Sequence, residues 1–335
     1  MLDVCICTHN PETRNFRNVI AALANQGAAK HVFRVLVVDN ASTPPVSSTL
    51  LQPLREKGVP CRVVFEPRLG LSSARLKAIS ETRGDWVLFV DDDNELERAF
   101  IATGLAFIAQ SPKVGCFGGK LILPGYLNPP QWALPFLPYL GIRDDGDDVI
   151  SNYADEWGPW EPAGAGAWVH RRVLNSYMRI STVDSKFYEL GRKGKSGLAS
   201  CDDSLLMRSA FRAGLECAYV PQLNLVHHLH PRRFRFSYLI RLMSAYGRSH
   251  VILDTLLKGH PTIPPYLATT WGVIKLLRSS YAKGAAESIP FGIGQVFYHL
   301  ASWLQLNQLN KSSSQNISNE VSLENIARYT LPERN

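Results

Sequence analysis

Several features are missing from the 335-residue sequence. No apolar run reaches the length of about eighteen residues or more that a transmembrane helix needs. Asp3 and His9 interrupt the first apolar run, so we expect no signal peptide. The six cysteines are scattered, mostly in apolar segments, and Cys5 and Cys7 have the wrong spacing for a zinc knuckle. We therefore expect reduced core thiols in a cytoplasmic protein.

The charge is not concentrated either. The sequence has 36 Lys and Arg against 29 Asp and Glu, which gives a net charge of +7 at pH 7 with histidine neutral. It lacks the Lys/Arg block of a nucleic-acid-binding arm, so we expect no nucleic-acid partner. A moderate positive charge is compatible with binding nucleotide phosphates or an anionic membrane surface.

The most informative stretch is an apolar run followed at once by acidic residues. Residues 86–90 are all apolar, and Asp91, Asp92 and Asp93 come next. Such a run predicts a strand buried on both faces, with its carboxylates at the edge where open α/β sheets bind ligands. Three adjacent carboxylates repel one another, and Mg²⁺ or Mn²⁺ would relieve that repulsion. A solvated acidic turn is the alternative interpretation.

The first 123 residues alternate between two kinds of apolar pattern. Strands are predicted at 2–8, 33–40, 61–66, 86–90 and 114–123, and helices at about 12–26, 42–57, 67–83 and 95–110. This alternation predicts a doubly wound, mainly parallel sheet with right-handed crossovers. Asp39 also ends a strand, so we expect Asp39 and Asp91 to face the same crevice.

Residues 124–235 are less regular. Residues 124–160 are rich in proline and acidic residues, and we interpret them as an insertion over the crevice that could act as a lid. The small residues at 163–167 either let the backbone approach a ligand or pack a tight strand. Two polar clusters follow, one at the start of a helix and one after an apolar run, each with a capping or surface role as the alternative. They are Asp202 with Asp203, and His227 and His228 with Arg232 and Arg233.

From residue 236 onward the pattern is helical. Segments 267–277 and 291–309 are apolar with few charges, and either an amphipathic module on a membrane or ordinary covering helices would give this pattern. Basic residues accompany the first segment, namely Lys275, Arg278 and Lys283. We expect a helical extension over 236–310, possible peripheral membrane contact, and a flexible tail over 311–335.

Five motifs in this order resemble the family 2 glycosyltransferases, which are inverting enzymes with a GT-A fold. They are residues 6–10, 37–42, 70–75, 91–93 and 201–203. The resemblance covers roughly the first two thirds of the chain, and we expect a glycosyltransferase domain over 1–235, with a donor half over about 1–123 and an acceptor half over about 124–235. It implies a GT-A type, doubly wound, mixed but mainly parallel sheet followed by the helical extension.

The resemblance also implies a donor site. It assigns Mg²⁺ or Mn²⁺ to Asp91 and Asp93, the two ends of a D-x-D motif, with His227 or His228 as a third ligand. Asp91 would also lie near the ribose, and Asp92 could serve either purpose. Other residues implied to contact the nucleotide-sugar are Thr8, Asn10 and Asp39 on the nucleoside side, Arg75 at base or phosphate, and Arg232 or Arg233 at the diphosphate.

The same resemblance implies a catalytic base. The family commonly has Gly-Glu-Asp where this chain has Cys201, Asp202 and Asp203, so either aspartate could be the base. We favour Asp203, which occupies the Asp position of the motif. It would remove the proton from the acceptor hydroxyl, an assistance typically worth ~10²–10⁴ in rate. One displacement with one base inverts the anomeric centre.

The implied activity is metal-dependent transfer from a nucleoside-diphosphate donor, such as a UDP-sugar, to a glycan or lipid-linked acceptor in surface polysaccharide or glycolipid synthesis. We expect such an enzyme to act in the cytoplasm or at the cytoplasmic face of a membrane. A sugar-phosphate nucleotidyltransferase is an alternative, although residues 8–11 lack the Gly-rich, basic first turn of such enzymes. A non-catalytic scaffold is another, and the intact Asp93 and Asp203 argue against it.

Overall fold

The computed structural model describes residues 1–28, 32–194, 197–260 and 289–310. Its strands are β1 Leu2–Thr8, β2 Phe33–Asn40, β3 Cys61–Glu66, β4 Trp86–Val90, β5 Asn94–Leu96, β6 Val114–Ile122, β7 Ile150–Asn152, β8 Ala167–His170 and β9 Glu216–His227. Its helices are α1 Thr13–Ala24, α2 Gln52–Glu56, α3 Leu71–Ser80, α4 Phe100–Gln110, α5 Arg171–Val183, α6 Asp202–Arg212 and α7 Phe236–Lys258, with residues 289–310 also helical. Short 3-10 helices cover Ser48–Leu51, Gln131–Leu140, Ser185–Glu189 and Pro231–Phe234.

Parallel strands form the half of the sheet nearest the N-terminus. β1 pairs with β2 and β4, and β2 pairs with β3, all in parallel. Both faces of β1 are covered, since Val4 shares an apolar cluster with Phe16 of α1 and Cys5 shares another with Ala78 of α3. Burial on both faces explains the continuous apolar runs. The predicted doubly wound, mainly parallel sheet is confirmed.

Beyond β4 the sheet becomes mixed. The strands run in the order β3-β2-β1-β4-β8-β6-β9-β5, with β7 paired to β9. β8 is antiparallel to both β4 and β6, whereas β6 and β9 are parallel. β9 is one continuous strand. Pro221, which has no N–H to donate, lies at an irregularity in the β6–β9 pairing.

The prediction of a helix over 95–110 was wrong about where the helix begins. Residues Asn94–Leu96 form β5, which pairs antiparallel with the end of β9, and α4 begins at Phe100. The side-chain oxygen of Asn94 accepts a hydrogen bond from the Asp91 N–H at 3.0 Å and closes the acidic turn. Pairing with a strand more than a hundred residues away outweighed the local helical spacing, and it places Asn94 opposite His227.

The C-terminal helices pack against the α/β domain. Ala133, Phe136 and Leu140 of the proline-rich segment form an apolar cluster with Leu239 and Met243 of α7. No helix within the described ranges is both long and apolar enough to cross a membrane. The segment predicted over 267–277 and the tail predicted over 311–335 lie outside the described residues. The boundaries proposed at residues 123 and 235 stay predictions.

Candidate active site

A cavity of about 380 Å³ opens at the carboxyl ends of β1, β4 and β9. Most residues predicted for the site line it: Thr8, Asn10, Arg75, Asp91, Asp92, Asp93, Asp202, Asp203, His227 and Arg233. Strands that end at one edge of a sheet bring such residues together although they are far apart in sequence. The acidic turn and the start of α6 therefore border a single space.

Asp39 and Arg232 lie elsewhere. Asp39 is buried, and its carboxylate accepts the backbone N–H groups of Ser42 and Val46 at 3.0 and 2.9 Å, so it holds the loop after β2. Arg232 is exposed on a 3-10 helix. Neither belongs to the cavity lining, and their predicted contacts with a donor stay predictions.

Asn40, which the sequence reasoning missed, lines the cavity instead of its neighbour Asp39. Its side-chain NH₂ donates to the carbonyls of Glu66 and Arg68 at 3.1 and 2.8 Å, and its oxygen accepts the Gly70 N–H at 2.8 Å. Successive side chains of a strand point to opposite faces, so the two residues cannot both face the same way. That alternation was the signal available in the sequence.

The acidic turn is hydrogen-bonded to the end of β1 and is mostly buried. The Thr8 hydroxyl donates a hydrogen bond to Asp92. Burial raises the pKa of Asp92 to about 7, with the Asp93 charge adding to the effect, and burial also raises the pKa of Asp91. The turn therefore stores electrostatic repulsion that a cation would relieve.

Asp93 differs from its neighbours because two basic side chains lie beside its carboxylate. The Nε2 atom of His227 lies 3.4 Å from one carboxylate oxygen, and the guanidinium of Arg233 lies 3.7 Å from the other. Burial alone would raise the pKa of Asp93, but His227 and Arg233 outweigh it and lower the pKa to about 2. Asp93 is therefore ionised at neutral pH and able to bind a cation.

These residues are chemically suited to a divalent metal. Among the described residues no three His, Cys, Asp or Glu side chains already converge to hold an ion. Mg²⁺, however, takes one or two protein carboxylates and completes its shell with phosphate and water oxygens. Asp91 and Asp93 offer such oxygens in the same cavity, and the Gly141 carbonyl lies 3.3 Å from Nδ1 of His227 and orients its ring.

The two aspartates that start α6 have different environments. The Asp202 carboxylate pairs with Arg75 of α3 at 2.5 Å, and both side chains are nearly inaccessible to water. Burial raises the pKa of Asp202 to about 6, against the lowering effect of Arg75. Asp203 is half-buried and borders the cavity, with one oxygen accepting the Ser204 N–H at 3.0 Å. Asp203 is thus the more exposed of the two and forms no ion pair among the described residues.

The segment at 163–165 packs directly on this pair. Glu161 forms a buried ion pair with Arg208 of α6 at 3.0 Å and fixes the segment to the helix. A Cβ atom at Gly164 would lie 2.7 Å from the Arg75 guanidinium and 2.9 Å from Cβ of Asp203. The small residues in this part of the sequence therefore serve close packing around the site.

Gly164→Ala is expected to lower the activity of this site by roughly tenfold to hundredfold, because an added Cβ displaces Asp203, the predicted base, and a shift of about 1 Å at a reacting group can cost ~10² in rate. The turnover rate at saturating substrate would measure the effect, alongside thermal unfolding. Gly125→Ala is the control, since nothing lies within 4 Å of a Cβ there. Equal turnover in both variants would contradict the prediction.

The first half of the chain carries the signature of a known enzyme family. Residues 3–177 match the profile of glycosyl transferase family 2. The chain belongs to glycosyl transferase family 2. It is therefore a glycosyltransferase with a GT-A fold, as the ordered motifs implied. A comparison with curated proteins gave no significant match.

A solved glycosyltransferase structure shares the architecture. The mannosyltransferase PcManGT of Pyrobaculum calidifontis, in complex with GDP-Man and Mn²⁺, is 16% identical, with a TM-score of 0.55 over 91% of this chain and 86% of that one. TarS of S. aureus is 14% identical, with a TM-score of 0.49 over 90% of this chain. This glycosyltransferase spans 54% of the length of that TarS chain.

The cavity of this glycosyltransferase has further walls that the sequence did not indicate. Tyr139 of the proline-rich segment and Tyr246 of α7 line it, with the Tyr246 hydroxyl 3.4 Å from the Tyr139 carbonyl. Arg192, from the loop before α6, lines it as well. No motif marks these residues, because each reaches the cavity only through the packing of helices on the sheet.

Proposed function

We propose that this enzyme transfers a sugar from a nucleoside-diphosphate donor to a hydroxyl acceptor with metal dependence and inversion. The observation that supports this most directly is the arrangement of acidic groups in one cavity. The turn at 91–93 and Asp203 border the same space but belong to different elements, β4–β5 and α6. The acidic turn would bind a metal–diphosphate complex, and Asp203 would accept the proton of the acceptor hydroxyl.

The donor would bind along the acidic turn. Asp91, Asp93 and His227 would hold Mg²⁺ or Mn²⁺, which supplies a Lewis acid that neutralises charge on the departing diphosphate. Arg233, already beside Asp93, would donate to a phosphate oxygen. Thr8 and Asn10 line the same end of the cavity, where the nucleoside would lie.

Asp203 would act at the other end. Its carboxylate would take the proton of the acceptor hydroxyl as the oxygen forms a bond to the anomeric carbon. The bond from that carbon to the diphosphate oxygen would break on the opposite face, with the electron pair leaving on the diphosphate. A single displacement of this kind inverts the anomeric centre and requires no second carboxylate nucleophile.

A panel of nucleotide-sugars with and without Mn²⁺ tests the proposal. We expect one donor class to raise the unfolding temperature only when Mn²⁺ is present, with ~2.7 kcal/mol of stabilisation at a hundredfold excess over its dissociation constant. The panel should contain UDP-sugars and also GDP-mannose, since the Pyrobaculum mannosyltransferase was solved in complex with GDP-Man. Slow hydrolysis should follow the same specificity. No stabilisation by any nucleotide-sugar, or pyrophosphate release from a nucleoside triphosphate, would contradict it.

The acceptor proposal draws on the helix at 289–310. Its fully buried positions carry small or polar residues, among them Ser302, which donates to the Gly247 carbonyl of α7 at 2.9 Å, while Phe291 packs against the apolar cluster of α7. Its outer side carries apolar residues that are between 41% and 54% exposed: Phe297, Leu300, Trp303 and Leu304. Helices that pack within lipid have this arrangement, with small residues where two helices meet and apolar residues on the outer side.

We infer that this outer face docks on an anionic membrane and brings the enzyme to a lipid-linked acceptor. Residues 289–310 contain no Asp, Glu, Lys or Arg, so no side chain of these four types opposes burial of the helix in the lipid interface. The sequence just before it carries Lys275, Arg278 and Lys283 with one acid, Glu287, and would add attraction to anionic headgroups. The cytoplasmic leaflet, which is anionic, is the proposed location.

Replacing both Leu300 and Leu304 by Gln is expected to weaken binding to phosphatidylglycerol-containing vesicles by roughly tenfold or more. Fully burying one leucine side chain is worth ~1.5–3 kcal/mol, and each of these two is about half exposed beforehand. Vesicle flotation measures the effect. Leu134→Gln, at another exposed leucine, is the control. Wild-type protein that stays off vesicles, or a dimer that the double variant dissociates, would contradict the proposal.

A further inference from the structure

Arg192 lines the candidate active site without a side-chain partner among the described residues. The other two arginines of the cavity are engaged, since Arg75 pairs with Asp202 and Arg233 approaches Asp93. A guanidinium that is largely removed from water and forms no ion pair at contact distance is unfavourable unless a ligand supplies an anion there. Arg192 is therefore a cation available to an anion that enters the cavity.

The backbone at Arg192 is firmly placed. Its carbonyl accepts the Leu71 N–H at 3.0 Å, which ties it to the first residue of α3. Gly191 has φ +82°, and a Cβ there would lie 2.7 Å from the Ser72 hydroxyl and 3.3 Å from the Asp202 carboxyl carbon. Only glycine fits between these groups in this conformation. The close packing directs the next side chain, Arg192, into the cavity.

Its neighbours indicate which anion would meet it. Burial lowers the pKa of the Arg192 guanidinium, but this is outweighed by the hydroxyl groups of Tyr238 and Tyr246 on α7 and by the carboxylates of Asp91 and Asp93, which line the same cavity. The latter two are the carboxylates proposed to hold the metal. A phosphate bound through that metal would come within reach of the same guanidinium, whereas the nucleoside end of the cavity lies at Thr8 and Asn10.

We propose that Arg192 binds the diphosphate of the donor and stabilises the negative charge that leaves with it. The inference rests on the proposed function and adds a positioning and charge-stabilising residue to it. When the bond between the anomeric carbon and the diphosphate oxygen breaks, the electron pair stays on that oxygen, and Arg192 donates hydrogen bonds to the phosphate. A planar guanidinium can donate two parallel hydrogen bonds to one phosphate, which a lysine cannot reproduce.

Binding of nucleoside diphosphate and of the matching nucleoside, each with Mn²⁺, separates this role from a structural one. The base is chosen as the one whose diphosphate binds the wild-type protein most tightly among UDP, GDP, ADP and CDP. We expect Arg192→Gln to weaken binding of the nucleoside diphosphate by about tenfold to hundredfold, which is the range for the loss of one charge-assisted hydrogen bond. Nucleoside binding should stay within about twofold, and Arg192→Lys should fall between.

Arg241→Gln is the matched control, because Arg241 is an exposed arginine of α7 outside the cavity lining. Thermal unfolding of all variants would check that they fold. If Arg192→Gln does not fold, Arg192→Lys still tests the inference. Equal diphosphate binding by wild type and Arg192→Gln, or equal weakening of diphosphate and nucleoside, would overturn the inference while leaving the proposed function intact. A wild-type protein that binds none of the four diphosphates would overturn both.

Discussion

Asp203→Asn is expected to lower the rate of sugar transfer by ~10²–10⁴, because the amide cannot accept the acceptor proton. Donor binding and thermal stability should change little. The substitution keeps the shape of the side chain and the oxygen that accepts the Ser204 N–H. Steady-state kinetics at saturating donor, with donor affinity measured separately, would show a fall in kcat without a matching loss of binding.

Asp202→Asn provides the contrast. Its partner Arg75 is only 4% exposed and would be left in the protein interior with a weaker, neutral partner. Removing one member of a buried ion pair typically costs ~3–5 kcal/mol, so this variant should lose stability as well as activity. If Asp202→Asn stayed fully stable and lost all transfer while Asp203→Asn kept it, Asp202 would be the base and our assignment would be wrong.

Asp93→Asn is expected to abolish the Mn²⁺-dependent part of nucleotide binding and to lower transfer by more than ~10². Asp93 is the carboxylate of the turn whose pKa is lowered, to about 2, because His227 and Arg233 outweigh its burial. An amide offers one neutral oxygen in place of a charged, bidentate group, and the Lewis acid's contribution of several kcal/mol is lost with the metal. Calorimetry of nucleoside diphosphate with and without Mn²⁺ measures the difference.

The control for Asp93→Asn is Asp147→Asn, since the Asp147 side chain is 96% exposed and its pairing with Lys120 lies on the surface. That variant should behave as wild type, because exposed ion pairs contribute little. Retention of Mn²⁺-dependent binding in Asp93→Asn would place the metal elsewhere in the cavity, whereas wild-type binding that Mn²⁺ does not change would make the enzyme metal-independent.

The sequence predicted the parallel half of the sheet well, because each of these strands is marked by a pattern within its own residues. Strands buried on both faces leave continuous apolar runs, and β1, β2, β3 and β4 were found within a residue or so of their observed ends. The antiparallel part was harder. β5 is three residues long and exists because of its pairing with β9, so no periodicity within the segment could have indicated it.

The candidate site was predictable only as a set of residue types. The ordered motifs supplied nearly all of its acidic residues. They could not separate Asp202 from Asp203, because that distinction depends on Arg75, which lies 127 residues away in sequence. Likewise Asn40 rather than Asp39 lines the cavity through the alternation of side chains across β2, and Asp39 holds a loop instead.

The order of residues alone was enough to establish the family, the α/β alternation and the clustering of carboxylates at strand ends, since each follows from short-range patterns. Folding decided that Asp202 rather than Asp203 pairs with Arg75, and it brought Arg192 and Tyr246 into the cavity from elements that carry no motif. The reason is physical: ionisation and partnership depend on burial and on neighbours contributed by distant segments, and these exist only once the helices have packed on the sheet.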